Sequence, residues 1–392
     1  MLSIKMKSKN NDSFKFPFLG YIGYGATKFF DSFKSFSFLL DKFESMYLTI
    51  DLENVVIDRP VYITGLARAG TTITLEMLSK HPDLSSHQYK NLLMPYLPHW
   101  FSLFIEKLKI YTKPFERIHM DGILITHESP EAVEEIFWQK FFENLHNEKS
   151  SNILDRRTTN PKFENFYQNH IRKLLIDQNK PRYVAKNNYH VSRFEYLLKL
   201  FPDVKFLLII RNPVNQIASL IKQIKLFMRI ECKAPLLQEW FRLIGHYEFG
   251  HHQVCINVGN TDVIRKIRML WTKKETYVKG WAYYWNSIYE YLADNLEKNR
   301  KFRKATLIIN YDELCENPDG IIAKILEHTE LSVEKFERVR KYYIDHLHVP
   351  NYYKPDFSQQ ELAEISEITK KTASRFGIKN TLINFYQQQG SK

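Results

Sequence analysis

Residues 65–72, GLARAGTT, are the first whose types and spacing could do chemistry. They join an apolar run, 61–64, to a helical pattern that begins at Thr71. A turn of this kind aims backbone N–H groups and a helix dipole at an anion. Gly70 allows a close backbone approach, Thr71 and Thr72 add hydroxyl donors, and Arg68 adds a guanidinium that forks onto phosphate oxygens. A nucleotide-triphosphatase loop ends in Gly-Lys-Ser/Thr. Here the order is Gly70-Thr71-Thr72, and the lysine is missing. A second pair stands further on. Arg211 ends the apolar run 205–211, Asn212-Pro213 opens a helix, and Ser219 lies about two turns along it. At the carboxyl end of a strand, this pair could hold a second phosphate, away from the first loop. His246, His251, His252 and Cys255 lie close enough in sequence to suggest a metal, but no second ligand pair accompanies them. No metal site is expected there; a polar loop near an acceptor site is the simpler account.

These residues need a scaffold. Continuous apolar runs at 61–65, 183–187, 205–211 and 305–311 each adjoin a helical pattern. That alternation predicts an α/β fold with a parallel sheet covered on both faces. Residues 131–180 and 224–300 break the rhythm and read as helical excursions forming the acceptor side of a pocket. The aromatic run 278–292 reads as a packed helix, or as a wall for adenine or acceptor. Residues 14–49 interleave Phe and Tyr with Lys, and from Thr27 the apolar positions follow helical spacing. The chain therefore divides into an aromatic-rich amphipathic segment, 1–50, serving as a lid or packing helix, and one domain, 51–392. The polar tail 380–392 is expected to fray.

The chain has 392 residues and a net charge of +12, which favours anionic partners. The charge is spread along the sequence, and no nucleic-acid-binding signature or zinc-finger spacing occurs, so no nucleic-acid partner is expected. No run reaches the length of a membrane span, and the first residues lack an apolar core with a cleavage site. Cys232, Cys255 and Cys315 have no framework spacing and are expected as free thiols. These features imply a cytoplasmic protein, with residues 14–49 offering a peripheral membrane contact.

Taken together, GLARAGTT and the Arg211…Ser219 pair resemble the two cofactor motifs of sulfotransferases that use 3′-phosphoadenosine 5′-phosphosulfate (PAPS). The resemblance is to the bacterial and tyrosylprotein branch and runs over roughly residues 58–332. It extends to YVAKNNYHVSRFEYLLKLFPDVKFLLIIR (183–211), to HPDL (81–84) and to INYDELCENPDGIIAKILEHTELS (309–332). It implies a P-loop-type fold and PAPS as co-substrate, with Arg68, Ala69, Gly70, Thr71 and Thr72 at the 5′-phosphosulfate and Arg211 and Ser219 at the 3′-phosphate. No metal is implied, because the transferred group carries less charge than a phosphoryl. Ala67 stands where that family usually has Pro. The resemblance makes Lys186 the second cation at the leaving oxygen.

The general base is where the chain departs from the pattern. The glutamate position of the tyrosylprotein enzymes falls on Gln88 or Tyr89, beside His87. The histidine position of the cytosolic enzymes falls on Asn188, with His190 two residues further on. His190 and His87 are the leading candidates, and His127 with Glu128 is a third. The expected function is sulfuryl transfer from PAPS to an acceptor hydroxyl, an apolar alcohol such as a sterol or lipid being favoured. A small-molecule kinase and a non-catalytic membrane-docking protein are the alternatives.

Overall fold

The computed structural model describes residues 18–110, 112–349 and 355–378. Residues 14–17 of the aromatic segment and the tail 380–392 lie outside the described residues. Five strands form one parallel sheet: β1 (Val61–Thr64), β2 (Leu84–Ser85), β5 (Arg182–Lys186), β6 (Lys205–Ile210) and β7 (Thr306–Asn310), in the order β2-β5-β1-β6-β7. A two-stranded hairpin, β3 (Phe115–Glu116) with β4 (Leu124–Ile125), stands apart from it.

The apolar runs become buried strands because helices cover both faces, which is why they read as continuous rather than alternating. Their alternation still sorts the side chains. Tyr62, Tyr183, Ala185 and Phe206 enter the larger core, while Val61, Ile63, Val184 and Leu207 enter the smaller one. The strands run in register, with Ile63 opposite Lys186 and Thr64 opposite Leu208. The carboxyl ends of β1, β5 and β6 therefore open at one edge of the sheet, where ligands bind in folds of this class.

The aromatic segment forms two helices, Phe18–Ser32 and Lys34–Tyr47, broken at Phe33. Phe30, Leu48 and Leu52 are buried, and Lys173 pairs with Glu44 at 3.1 Å and Asp41 at 2.7 Å beneath them. A second stripe, Phe36, Leu39, Phe43, Met46 and Tyr47, points outward and continues to Ile50. The three cysteines are unpaired.

Candidate active site

The loop after β1 is built on strained and glycine-only geometry. Gly65, Arg68 and Gly70 all have positive φ, at 145°, 68° and 106°. A Cβ on Gly70 would lie 2.2 Å from the Tyr311 ring, and one on Gly65 would lie 2.2 Å from the Ile209 carbonyl oxygen. Gly70 caps the helix Thr71–Leu78, whose first amides have no carbonyl one turn behind them. Gln216 fastens the loop from behind: its amide nitrogen donates to the carbonyls of Leu66 and Ala67, each at 3.0 Å. The indole of Trp285 donates to the Gln216 oxygen at 2.9 Å, and Tyr289 lies within 3.3 Å of the Leu66 amide. The aromatic run 278–292 thus lies in a helix, Tyr277–Lys298, that buttresses the loop.

The two phosphate motifs meet. Arg68 Nε donates to Ser219 Oγ at 3.1 Å, and Arg211 Nη1 lies 3.4 Å from the Arg68 carbonyl oxygen. Arg68 of the loop therefore reaches the second pair directly. Asn212 accepts from the Val214 amide and Pro213 follows it, which starts the helix Pro213–Lys233 sharply and turns Ser219 back toward the loop. Arg211 lies 5.1 Å above the Tyr311 ring, with Asp312 3.9 Å away.

Three groups at this edge escaped the sequence reading. Asp121, at the tip of the β3–β4 hairpin, accepts from Arg68 at 3.0 Å and from Arg117 at 2.8 Å. Burial pushes its carboxyl up, but the two guanidinium groups outweigh this and hold it at about 2. Glu248 accepts from the Asn188 amide at 3.0 Å, and Asn188 accepts from Thr71 Oγ1 at 3.3 Å. The ring of His119 packs 5.7 Å from that of His246. Burial, and then the charges of Arg117, His246, Arg68 and Lys186, force His119 well below the ordinary histidine value. One signal was available: Gly245 and Gly250 bracket Glu248, and both have positive φ. Lys186 ends β5 here and makes no hydrogen bond or ion pair with the described residues. Burial lowers its pKa against the raising fields of Glu248 and Glu131.

His87 and His190 lie elsewhere, in a buried polar network under the larger face of the sheet. His190 Nε2 meets Glu134 at 2.9 Å, and both side chains are sealed from solvent. Tyr183 donates to the other Glu134 oxygen at 2.8 Å, and Tyr167 also donates to it. His87 bridges Tyr183 at 2.8 Å and His170 at 2.9 Å. The network assigns every proton. Tyr183 spends its proton on Glu134, so His87 Nδ1 donates to Tyr183, and His87 Nε2 accepts from His170. Tyr62 donates to Tyr167 at 2.8 Å. Glu134 alone is charged. Its carboxyl is held low by His190 despite burial, while burial keeps both histidines neutral, His87 down to about 4. His127 meets Thr112 instead of the crevice, and Glu128 is exposed.

The loop histidines also disperse. His251 bonds Glu231 at 2.5 Å, while Cys255 is buried beside Glu148 and Tyr284. Among the described residues no group of three or more His, Cys, Asp or Glu is arranged to hold a metal.

The sequence model of the sulfotransferase family matches residues 60–265, more than half of the chain. The chain belongs to that family and is a sulfotransferase. Among solved structures it is similar to sulfotransferase STF9 from Mycobacterium avium, with 14% identity over 86% of this chain and 82% of that one, at a TM-score of 0.51. It is also similar to sulfotransferase STF1 from Mycobacterium tuberculosis, with 16% identity over 86% and 81% and a TM-score of 0.42. Among curated proteins, no sequence matches the chain.

Proposed function

We propose that this enzyme moves the sulfuryl group of PAPS to the hydroxyl of an apolar alcohol, of sterol or lipid type, and releases adenosine 3′,5′-bisphosphate. The observation that carries the reading is the junction of Arg68, Arg211 and Ser219 at the end of a loop lacking the triphosphatase lysine. The residues suit the co-substrate. The glycine-shaped turn and the free helix amides at Thr71 and Thr72 suit the 5′-phosphosulfate. Arg211 and Ser219 suit the 3′-phosphate, and Arg68 and Lys186 suit the charge that develops on the leaving oxygen. Bound PAPS supplies an activated sulfuryl group; these side chains bind it, orient it and neutralise what departs.

His87 and His190 are not carried into this reading as bases. His87 bonds Tyr183 and His170, His190 bonds Glu134, and both rings are buried, whereas proton transfer needs hydrogen-bond reach of the acceptor. The apolar acceptor is supported by the outward stripe Phe36, Leu39, Phe43, Met46 and Tyr47, which is flanked by exposed Lys34 and Lys42. An anionic membrane surface complements both features, and a lipid acceptor would reside there. No described helix is long and apolar enough to cross a membrane.

Titration calorimetry without Mg²⁺ tests the co-substrate. Micromolar binding of adenosine 3′,5′-bisphosphate is expected, and binding of ATP only with Mg²⁺ would instead support a kinase. Flotation with phosphatidylserine vesicles tests the surface: Phe36→Ser with Phe43→Ser should abolish an association that the unaltered chain shows.

A further inference from the structure

We infer that Glu248 takes the acceptor's proton, with His246 and Lys186 framing the space in which the hydroxyl is held. The inference rests on the sulfuryl-transfer reading and adds the residue that reading lacks.

Glu248 lies two hydrogen bonds from the phosphate loop. Thr71 Oγ1 donates to the Asn188 oxygen at 3.3 Å, and the Asn188 nitrogen donates to Glu248 Oε1 at 3.0 Å. That relay fixes one carboxylate oxygen and leaves the other. Glu248 Oε2 is buried and has no hydrogen-bond partner, and the same is true of His246 Nδ1, 3.8 Å from it. Two buried polar atoms that face each other beyond bonding reach are costly unless a third group fills the space. A hydroxyl suits it, because it donates to a carboxylate and accepts from an imidazole N–H.

The loop is rigid enough to hold this geometry. The Tyr247 amide donates to Tyr189 Oη at 2.9 Å, and the His251 amide donates to Glu231 at 2.7 Å. Lys186 feels Glu248 as its strongest charged neighbour, ahead of Glu131. Glu131 is the other acid in range, but its Oε1 already accepts from the Ala132 amide at 2.6 Å. The step balances. The acceptor's O–H bond breaks toward Glu248 Oε2 as its oxygen bonds to sulfur. The bond from sulfur to the 5′-phosphate oxygen breaks, and the electron pair leaves with the bisphosphate.

The test compares acceptors that differ in how much they need a base. Labelled PAPS is supplied with dodecanol, with 4-nitrophenol (whose hydroxyl ionises near neutrality), and with water alone. Glu248→Gln keeps the Asn188 contact and the fold. It should slow transfer to dodecanol and to water by about a hundredfold or more. Transfer to 4-nitrophenol should fall less than about tenfold, and bisphosphate affinity should hold. Glu248→Asp should recover part of the dodecanol rate. Equal losses with the alcohol and the phenol would overturn the inference and leave Glu248 a positioning residue. An unchanged dodecanol rate would overturn it outright. Loss of bisphosphate binding in the unaltered enzyme would instead sink the sulfuryl-transfer reading itself.

Discussion

Strand β5 carries two polar clusters, and they differ in whether both oxygens of their carboxylate are already committed. Tyr183 joins the network of Glu134, His87, His190 and Tyr167, where every proton has an assigned acceptor and one buried charge receives three donors. Lys186, three residues along, opens on Glu248, His246 and His119, where buried polar atoms lack partners. Both clusters hold histidine and glutamate. The first commits both carboxylate oxygens and rigidifies the core, leaving only the ring nitrogens His170 Nδ1 and His190 Nδ1 without partners; the second leaves a carboxylate oxygen, Glu248 Oε2, unmet. Residue type alone does not tell the two clusters apart; the state of the carboxylate does.

Substitutions can break this contrast. Lys186→Ala should have the largest effect, lowering turnover by about 10²–10³-fold, or about 3–4 kcal/mol of transition-state stabilisation. Its melting temperature should not fall, since the ammonium has no described partner to lose. A rate loss matched by loss of folded protein would erase the distinction. His190→Ala should do the reverse. Removing a donor from the sealed Glu134 carboxylate should cost about 3 kcal/mol of stability, read by denaturant unfolding, while the folded fraction keeps its rate within a few fold. A rate collapse at unchanged stability would restore His190 as a base.

Acid should separate the clusters more finely. The His87 pKa falls from 6.5 to about 4 on folding, so between those values the unfolded chain binds the extra proton. Stability is full above 6.5 and is lost as pH drops toward about 4, by up to roughly 3 kcal/mol from this group. The depressed histidines His170 and His190 act in the same direction. Melting curves from pH 7 to 5 should fall steeply, and His87→Asn should flatten them; a slope unchanged by that substitution would refute the neutral assignment. Arg211→Ala should show the smallest effect, about 2 kcal/mol of bisphosphate affinity, with 5′-AMP binding nearly unaltered. Equal losses for both ligands would remove Arg211 from the 3′-phosphate.

The parallel sheet and its phosphate loop were legible because their signals are contiguous. Apolar runs 61–65, 183–187, 205–211 and 305–311 each produced a strand, and GLARAGTT runs unbroken from the turn after β1 into the helix Thr71–Leu78. The meeting of Arg68 with Ser219 was not legible, because it depends on how far a side chain reaches across a crevice. Asp121 and Glu248 arrive on a short hairpin and an irregular loop, neither with a hydrophobic period to mark its place. That His87 and His190 lie under the larger face was not legible either, because nearness in sequence to a motif does not report the face of the sheet. Tyr62 and Tyr183, alternating with Val61 and Val184, carried that information. The aromatic segment showed one helical pattern but formed two helices with two apolar stripes, only one of which the core consumes.

Asp121 sets a threshold on Arg68. Arg68 is not waiting for an anion: it already has a carboxylate at 3.0 Å, and that carboxylate is tied to Arg117 as well. Any anion that enters competes in an exchange, winning only by offering Arg68 more than Asp121 does. On the proposed reading, a ligand gripped at the same time by Arg211 and the loop amides brings further anchors to that exchange, so the hairpin sets how firm a grip an anion must offer before Arg68 turns to it.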